Sequence, residues 1–419
     1  MDAVEPPVAG APGASCYHRV VSTEPRPAHI LSVIVAAQFA GTSLWFAVNA
    51  ILPELQADWG LQVGSVAAST SSVQLGFIAG TLLFALSNMA DRVPARALFL
   101  GCSLVGAACN IAIATVVQSV EILLVLRFAT GVVLAGIYPV GMKIAASWFR
   151  GGLGGALGWL VGALVVGTAF PHLLRAGGLA LPWQGVLWTT AALAAAGGLL
   201  LFWTVPDGPE LPRKSPFDRH ALPKIFGEHD FRAAAFGYFG HMWELYAWWA
   251  FVPLLLERAA ARSGAEGFDI ALWSFVAIAA GAVGCVVGGL VTRRVGSARV
   301  ASVQIRASAL CCLLAPGLMW LPLPAVLALV LFWGVVVVGD SPQFSTLTAR
   351  TAPRHLVGTA LTTVTCIGFG LTVPSLFLTR VLADAVGVEL AMCALAPGPL
   401  LGWWALRRLT ASDPTRPSP

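Results

Sequence analysis

The feature that most constrains this chain is a series of long apolar stretches separated by short polar segments. Each stretch is close to the roughly 20 residues that a helix needs to cross a bilayer, and a helix satisfies its own backbone hydrogen bonds in lipid. The stretches fall at 29–52, 65–88, 97–117, 121–142, 151–174, 184–205, 232–256, 269–292, 300–320, 325–346, 356–378 and 388–406. The sequence therefore predicts an all-α membrane protein with 12 transmembrane helices.

The composition agrees with this prediction and excludes several classes of protein. Charged residues make up only 11% of the 419 residues, whereas a soluble domain carries about 25%. So few charges cannot cover the surface of a water-soluble enzyme or nucleic-acid-binding protein. The sequence also lacks a phosphate-binding G-x-x-x-x-G-K-[ST] run, an H-E-x-x-H metal motif and a C-x-x-C pair. We therefore expect neither an enzyme nor a metal, cofactor or nucleic-acid partner.

The polar segments indicate the domain organisation. We expect a disordered cytoplasmic tail at 1–28, a six-helix half at 29–205, a cytoplasmic linker at 206–231, a second six-helix half at 232–407 and a cytoplasmic tail at 408–419. With both termini inside, 19 of the 25 basic residues lie in inner segments and four in outer loops. Because cytoplasmic loops of membrane proteins are enriched in Lys and Arg, this distribution predicts that both termini are cytoplasmic.

The two halves show an internal repeat at a constant offset of 203 residues. Gly131-Val-Val-Leu-Ala-Gly-Ile-Tyr-Pro139 corresponds to Gly334-Val-Val-Val-Val-Gly-Asp-Ser-Pro342, and the same shift pairs Trp45 with Trp248. Six helices repeated in the same orientation predict two parallel halves related by an axis along the membrane normal. Transporters built in this way bind their substrate near the bilayer midplane, between the halves.

On these motifs the chain resembles the major facilitator superfamily, of the 12-helix bacterial type, over residues 29 to about 407. The loop Ser87–Arg96 resembles the family's G-x-x-x-D-R-x-G-R-K motif, retaining Asp91, Arg92 and Arg96 but neither glycine. The resemblance implies a multi-pass protein of the inner cell membrane and four charges that gate its cytoplasmic side. It also implies a proton-coupling role for Arg127 in the fourth predicted helix, at 121–142. The gating residues carried over are Asp91, Arg92, Arg293 and Arg294.

The seventh predicted helix, at 232–256, carries the strongest candidates for transport chemistry. His241, Glu244 and Trp248 fall within about 60° of one another at 100° per residue. Ionisable groups inside a membrane cost at least about 2.5–3.5 kcal/mol each, so they are expected to have a function there. An imidazole one turn from a carboxylate therefore predicts a site that binds a proton and the substrate. The alternative is that His241 and Glu244 satisfy each other and only set the packing of helix 7.

Helix 1 presents Gln38, Trp45 and Asn49 on one face, and the repeat places Trp45 opposite Trp248. Two indoles and an amide predict a cavity for a small, polar or planar solute. Arg127, with Tyr138 on the same helix face, requires an anion. Glu244, a substrate carboxylate, or a static ion pair between the halves are the three possibilities.

Asp340 lies in helix 10 next to Pro342, where proline frees backbone carbonyls that need polar partners. Asp340 is either a second coupling carboxylate, with Gln343 as a substrate contact, or an inner gate that pairs with Arg350 or Arg354. The sequence does not decide which acid carries the proton.

Together these residues predict a secondary active transporter that works by alternating access and functions as a monomer. The first hypothesis is proton-coupled symport of a small organic anion or nutrient, because Arg127 coexists with titratable Glu244, His241 and Asp340. The alternative is proton-coupled efflux of a metabolite or drug.

Overall fold

The computed structural model describes residues 29–59, 65–87, 89–117, 119–149, 153–177, 179, 181–206, 208 and 218–411. Within these residues the regular secondary structure is helical, with no strand. The predicted tail at 1–28, most of the predicted linker and residues 412–419 lie outside the described part. The predicted boundaries shift slightly, since helix α11 begins at His229, inside the predicted linker, and helix α19 continues past residue 408 to Ala411.

The helices of the first half of the chain are α1 (His29–Thr42), α2 (Leu52–Trp59), α3 (Ser65–Leu86), α4 (Met89–Arg92), α5 (Ala95–Thr115), α6 (Val120–Leu134), α7 (Tyr138–Trp148), α8 (Leu153–Arg175) and α9 (Trp183–Thr204). Those of the second half are α10 (Leu222–Gly227), α11 (His229–Arg262), α12 (Ile270–Ala279), α13 (Gly281–Val295), α14 (Ser297–Leu314), α15 (Leu323–Gly339), α16 (Ser341–Thr351), α17 (Val357–Val386), α18 (Val388–Cys393) and α19 (Pro397–Ala411). Short 3-10 turns lie at Asn49–Ile51, Arg219–Ala221, Ala315–Trp320 and Arg354–Leu356.

Ten stretches of the described chain are long and apolar enough to cross a membrane as helices. They contain α3, α5, α6 with α7, α8, α9, α12 with α13, α14, α15 with α16, α17, and α18 with α19. The prediction of an all-helical, multi-span membrane protein is therefore confirmed. The first and seventh predicted spans are missing from this set. Helix α1 has only 14 residues, and the 34-residue α11 is rich in His, Trp, Tyr and Gly.

Several of the predicted spans are interrupted. In the first, the fourth and the tenth, polar residues or proline compete with the regular helix. Helix α1 ends at Thr42 and turns occupy 43–48, so the predicted single helix at 29–52 is broken. Hydroxyls at this point donate to carbonyls of the preceding turn, Thr42 to Gln38 O at 2.8 Å and Ser43 to Ala40 O at 2.7 Å. The breaks between α6 and α7 and between α15 and α16 each precede a proline in the first turn of the next helix.

Packing between helices places the candidate site residues in the centre of the bundle. In the first half α1 packs on α8 and α9, α3 on α6, and α5 on α9. In the second half α11 packs on α17 and α19, α13 on α15, and α14 on α19. Contacts of α3 with α17, and of α8 with α12 and α13, join the two halves.

Glycine lets α3 and α6 approach closely. A Cβ atom on Gly131 would overlap the carbonyl oxygen of Val73 and lie 2.9 Å from the Cα of Gly76. A Cβ on Gly76 would in turn overlap the carbonyl oxygen of Phe128. Small residues at such contacts allow membrane helices to gain van der Waals contact that side chains would otherwise prevent.

We therefore expect Gly131→Ala to destabilise the protein. The added methyl group meets backbone atoms, which cannot move as a side chain can, and overpacking of this kind costs about 1–3 kcal/mol. The measurement is thermal unfolding of the purified protein in detergent. Gly101→Ala is the matched control, because a Cβ there meets nothing within 4 Å and Ala raises helix stability by up to about 1 kcal/mol. Equal melting temperatures for the two variants would contradict the packing argument.

Candidate functional site

Arg127 is fully buried and binds the irregular backbone that follows α1. Its guanidinium donates to the carbonyl oxygens of Leu44 at 3.2 Å and Trp45 at 2.6 Å, and lies 3.5 Å from Asn49 Oδ1. Asn49 in turn donates to Thr70 Oγ1 at 2.8 Å. These carbonyls lack helical partners because α1 has ended, so a positively charged donor replaces the missing amide groups. Neither Glu244 nor any other described carboxylate lies within ion-pair distance of Arg127, which leaves a substrate carboxylate as the remaining alternative.

A cluster of aromatic side chains joins the two halves beside this break. Trp45 is fully buried, and its ring centroid lies 5.1 Å from that of Phe77, 5.7 Å from Tyr246 and 5.8 Å from Phe369. The ring centroids of Phe77 and Phe369 lie 4.3 Å apart, with the rings tilted by 31°. Because these four residues come from the break after α1 and from α3, α11 and α17, any separation of the halves at this level must part the rings. We refer to Trp45, Phe77, Tyr246 and Phe369 as the aromatic cluster.

The imidazole of His241 faces the acid at the break in the tenth predicted span. His241 Nδ1 lies 2.8 Å from Asp340 Oδ1, and each side chain is at most 2% exposed. His241 lies 12 residues from the start of α11, which corresponds to about 18 Å along the helix axis and places the pair well inside the bundle. Asp340 caps the end of α15, and its carbonyl accepts from the amides of Gln343 at 2.9 Å and Phe344 at 3.0 Å. The partner of Asp340 is thus His241 and neither Arg350 nor Arg354.

Glu244 has a different set of partners from the one that its spacing indicated. Its Oε1 accepts from Ser308 Oγ at 2.6 Å, Trp333 Nε1 at 2.6 Å and Cys312 Sγ at 3.2 Å. The predicted hydrogen bond between His241 and Glu244 is therefore wrong. One turn of helix brings both groups to the same side of α11, but neighbouring helices α14, α15 and the break before α16 supply nearer partners. The donors join α11, α14 and α15 through a single carboxylate oxygen.

The remaining predicted substrate residues lie inside the helix bundle, but they do not form a single group of mutual contacts. Gln38 is fully buried, its amide atoms have no hydrogen-bond partner among the described residues, and its Oε1 lies against the backbone of Gly141 in α7. Trp248 is also fully buried and packs on Trp333 at 5.8 Å, and its Nε1 likewise has no partner in the described part of the chain. Tyr138 begins α7 and is partly buried. Gln343 is buried in α16, and its Oε1 accepts from Thr292 Oγ1 at 2.7 Å.

The predicted gating charges lie at one end of the bundle. Arg92 is exposed at the end of α4, and the side chain of Asp91 lies outside the described residues. Arg293 and Arg294 are exposed in the last turn of α13. The guanidinium of Arg293 lies 3.3 Å from the position that a Cβ on Gly155 would occupy, at the start of α8. This basic residue of the second half therefore contacts the first half.

Sequence reasoning missed the partners that complete the site, namely Ser308, Cys312, Trp333, Phe77 and Phe369. Trp333 carried a usable signal, because tryptophan in membrane proteins concentrates at the two interfaces whereas Trp333 stands in the middle of the apolar run 325–346. The other four are ordinary residues of apolar helices. Only the packing of α14, α3 and α17 against α11 gives them a role.

Taken together, an all-helical membrane bundle with buried ionisable groups at its centre defines a membrane transport protein. A model of the Major Facilitator Superfamily matches residues 34–376, and the chain therefore belongs to this family.

The structure of the human organic anion transporter MFSD10 (TETRAN) is similar in fold. The TM-score is 0.70, the sequences are 16% identical, and the similarity covers 92% of this chain and 100% of the transporter chain. Among curated proteins, no sequence matches this chain.

We expect Arg127→Met to destabilise the protein by about 2–6 kcal/mol. The substitution keeps an apolar side chain of similar length but leaves two buried carbonyls without donors, and each unsatisfied group costs about 1–3 kcal/mol. Thermal unfolding in detergent is the measurement, with Arg127→Lys as the comparison that retains charge and fewer donors. A fully stable Arg127→Met protein would mean that the break after α1 does not depend on this arginine.

Proposed function

We propose that this protein is a proton-coupled secondary active transporter for a small organic anion, operating by alternating access of two six-helix halves. The observation that carries the proposal is the buried His241–Asp340 pair, 2.8 Å apart, at the helix break before α16. A buried acid with one titratable partner can take up and release a proton with little rearrangement. Because it lies where regular backbone is interrupted, movement of α16 changes its surroundings directly.

The internal repeat supports the arrangement of two halves at 29–205 and 232–407. Helix α6 begins at residue 120 and α7 spans 138–148, while α15 begins at 323 and α16 spans 341–351. Each of these three bounds shifts by the offset of 203 residues found in the sequence. Two spans with the same break at the same position support twelve helices in two parallel repeats, with α1 and α11 as the first and seventh.

The distribution of hydrogen-bond donors supports an anionic substrate. Arg127 contributes a buried positive charge with no described carboxylate partner. The buried indole N–H groups of Trp45, Trp248 and Trp249 and the amide of Gln38 have no described partner either. Unpaired buried donors are costly, and a solute rich in acceptor oxygens would satisfy them. The human structure similar in fold is an organic anion transporter, which agrees with this substrate class, although the likeness itself concerns the fold.

Within this proposal, His241 and Asp340 exchange the proton and Glu244 positions helices. Three donors converge on Glu244 Oε1, an arrangement that holds α11, α14 and α15 together. Gln38, Trp45, Asn49, Arg127, Tyr138, Trp248 and Gln343 contact the substrate during the cycle. The gating charges, the cytoplasmic position of both termini, the location in the inner membrane and function as a monomer remain parts of the same proposal.

The first test is uptake of a panel of small organic acids into proteoliposomes under an imposed pH gradient. We expect accumulation driven by the gradient in the native protein, and at least a tenfold loss of that accumulation in Asp340→Asn. Exchange of labelled for unlabelled substrate without a gradient should persist in Asp340→Asn, because it needs no net proton movement. Asp384→Asn is the matched control, since Asp384 is half-exposed and pairs with Arg380 near the end of α17.

The direction of coupling follows from the same experiment. Accumulation with an acidic exterior indicates symport, whereas accumulation only with an acidic interior indicates efflux by antiport. Gradient-driven accumulation that is unchanged in Asp340→Asn would contradict the role of the His241–Asp340 pair.

For Glu244 we expect the shape of the side chain to matter more than its charge. Glu244→Gln keeps an oxygen that accepts from Ser308 and Trp333 and should retain gradient-driven uptake within a few-fold of the native rate. Glu244→Leu leaves both donors unpaired and should lose about 2–4 kcal/mol of unfolding free energy. Uptake and thermal unfolding are measured on both variants. Loss of proton-driven uptake in a stable Glu244→Gln protein would instead make Glu244 the proton carrier.

A further inference from the structure

Two arginines from different helices flank a single tryptophan near the end of α19. The Cζ atom of Arg407 lies 4.5 Å from the ring centroid of Trp403, and that of Arg306 lies 5.8 Å from it. Both arginines are exposed side chains of the helix bundle. Contact between a guanidinium and an indole face is favourable, but two positive charges on one ring repel each other. The arrangement therefore favours an anion that lies between them.

The described residues supply no such anion. No carboxylate among them lies within ion-pair distance of Arg306 or Arg407. The neighbouring Arg408 lies 3.1 Å from Asp230, so the acid nearest to this end of α19 already has a basic partner.

Arg306 lies unusually deep for a charged residue on the outside of the bundle. It belongs to the membrane-crossing stretch Ser297–Trp320, and its Nε donates to the carbonyl of Ser302 at 2.9 Å, toward the start of α14. This orientation brings its charge toward the membrane surface, as long basic side chains do in lipid. A charge at this depth is costly without a counter-ion.

Beside the two charges lies an open groove of about 400 Å³ lined by Leu400, Leu401, Trp403, Trp404 and Arg407. Leu401 is 66% exposed and Trp404 is 65% exposed, so its apolar wall faces the surroundings of the bundle. The groove is therefore cationic at one end and apolar along the rest. A molecule with a negatively charged head and hydrocarbon chains has this distribution of polarity.

We propose that this surface binds an anionic phospholipid, with its phosphate between Arg306 and Arg407 and an acyl chain along Leu401 and Trp404. The proposal rests on the membrane location of the protein and is independent of its substrate. Basic pockets between membrane helices bind anionic lipid headgroups in the leaflet that faces the cytoplasm, and positive-inside topology predicts that α19 ends on that side.

The test is native mass spectrometry of the full-length protein in detergent, titrated with phosphatidylglycerol or with phosphatidylethanolamine of the same acyl chains. We expect the native protein to retain one phosphatidylglycerol more tightly than phosphatidylethanolamine. Arg306→Gln/Arg407→Gln should raise the Kd for phosphatidylglycerol about 30-fold, because each basic residue near the membrane surface contributes about a fivefold preference for anionic lipid.

Arg350→Gln/Arg354→Gln is the matched control, since it removes the same charge from exposed residues that are not among the arginines described over the Trp403 ring, and its Kd should not change. Equal losses of binding in the two double variants, or none in Arg306→Gln/Arg407→Gln, would overturn the site. Dimers in the native protein that dissociate in Arg306→Gln/Arg407→Gln would overturn it in favour of a second copy of the chain. If the double variant does not fold, Arg407→Gln alone should weaken binding about fivefold, and unchanged binding there would equally overturn the proposal.

Discussion

In lipid, a backbone N–H or C=O group without a partner has no water to bind, and this constraint governs where the helices of this protein can stop. Helix α1 stops at Thr42, and the carbonyls of Leu44 and Trp45 that follow are bound by Arg127 from α6. The break that precedes α16 is capped by Asp340, whose own side chain is bound by His241 from α11. At both of these breaks, a charged or titratable residue from another helix contacts the irregular segment. The residues best suited to transport chemistry are the same ones that permit the irregular backbone.

The aromatic cluster joins the halves without a hydrophobic driving force between the helices. Lipid tails are as apolar as the helix surfaces, so association depends on close packing and on hydrogen bonds. Trp45, Tyr246 and Phe369 provide contact across the halves, while glycine contacts such as Gly76–Gly131 hold α3 and α6 within the first half. Such glycine contacts are backbone to backbone, and they also occur between the halves, where a Cβ on Gly158 of α8 would lie 2.9 Å from the carbonyl oxygen of Cys285 in α13. The contact of the aromatic cluster, in contrast, is made by side chains.

Several features of the site could be predicted because they depend on spacing along one helix. The membrane class followed from apolar length, the family from the resemblance of its motifs, and the burial of Gln38, Trp45, Arg127, His241 and Glu244 from helical periodicity. The partners of these residues could not be predicted in the same way. His241 and Glu244 are three positions apart and share a face, yet each bonds to a different helix, because α14, α15 and the break before α16 pack against α11 from different directions.

The sequence by itself determined that this chain is a bundle of membrane helices, since only long apolar helices can bury so much apolar chain in lipid while satisfying their backbones. It also determined which buried residues are ionisable. The tertiary structure alone decided that Asp340 contacts His241 and that Arg127 donates to backbone carbonyls. It also decided the donors that Glu244 accepts from, which are Ser308, Cys312 and Trp333. Hydrogen bonds act over about 3 Å, whereas sequence periodicity gives only a direction around a helix axis. Which atoms meet therefore depends on how the helices pack.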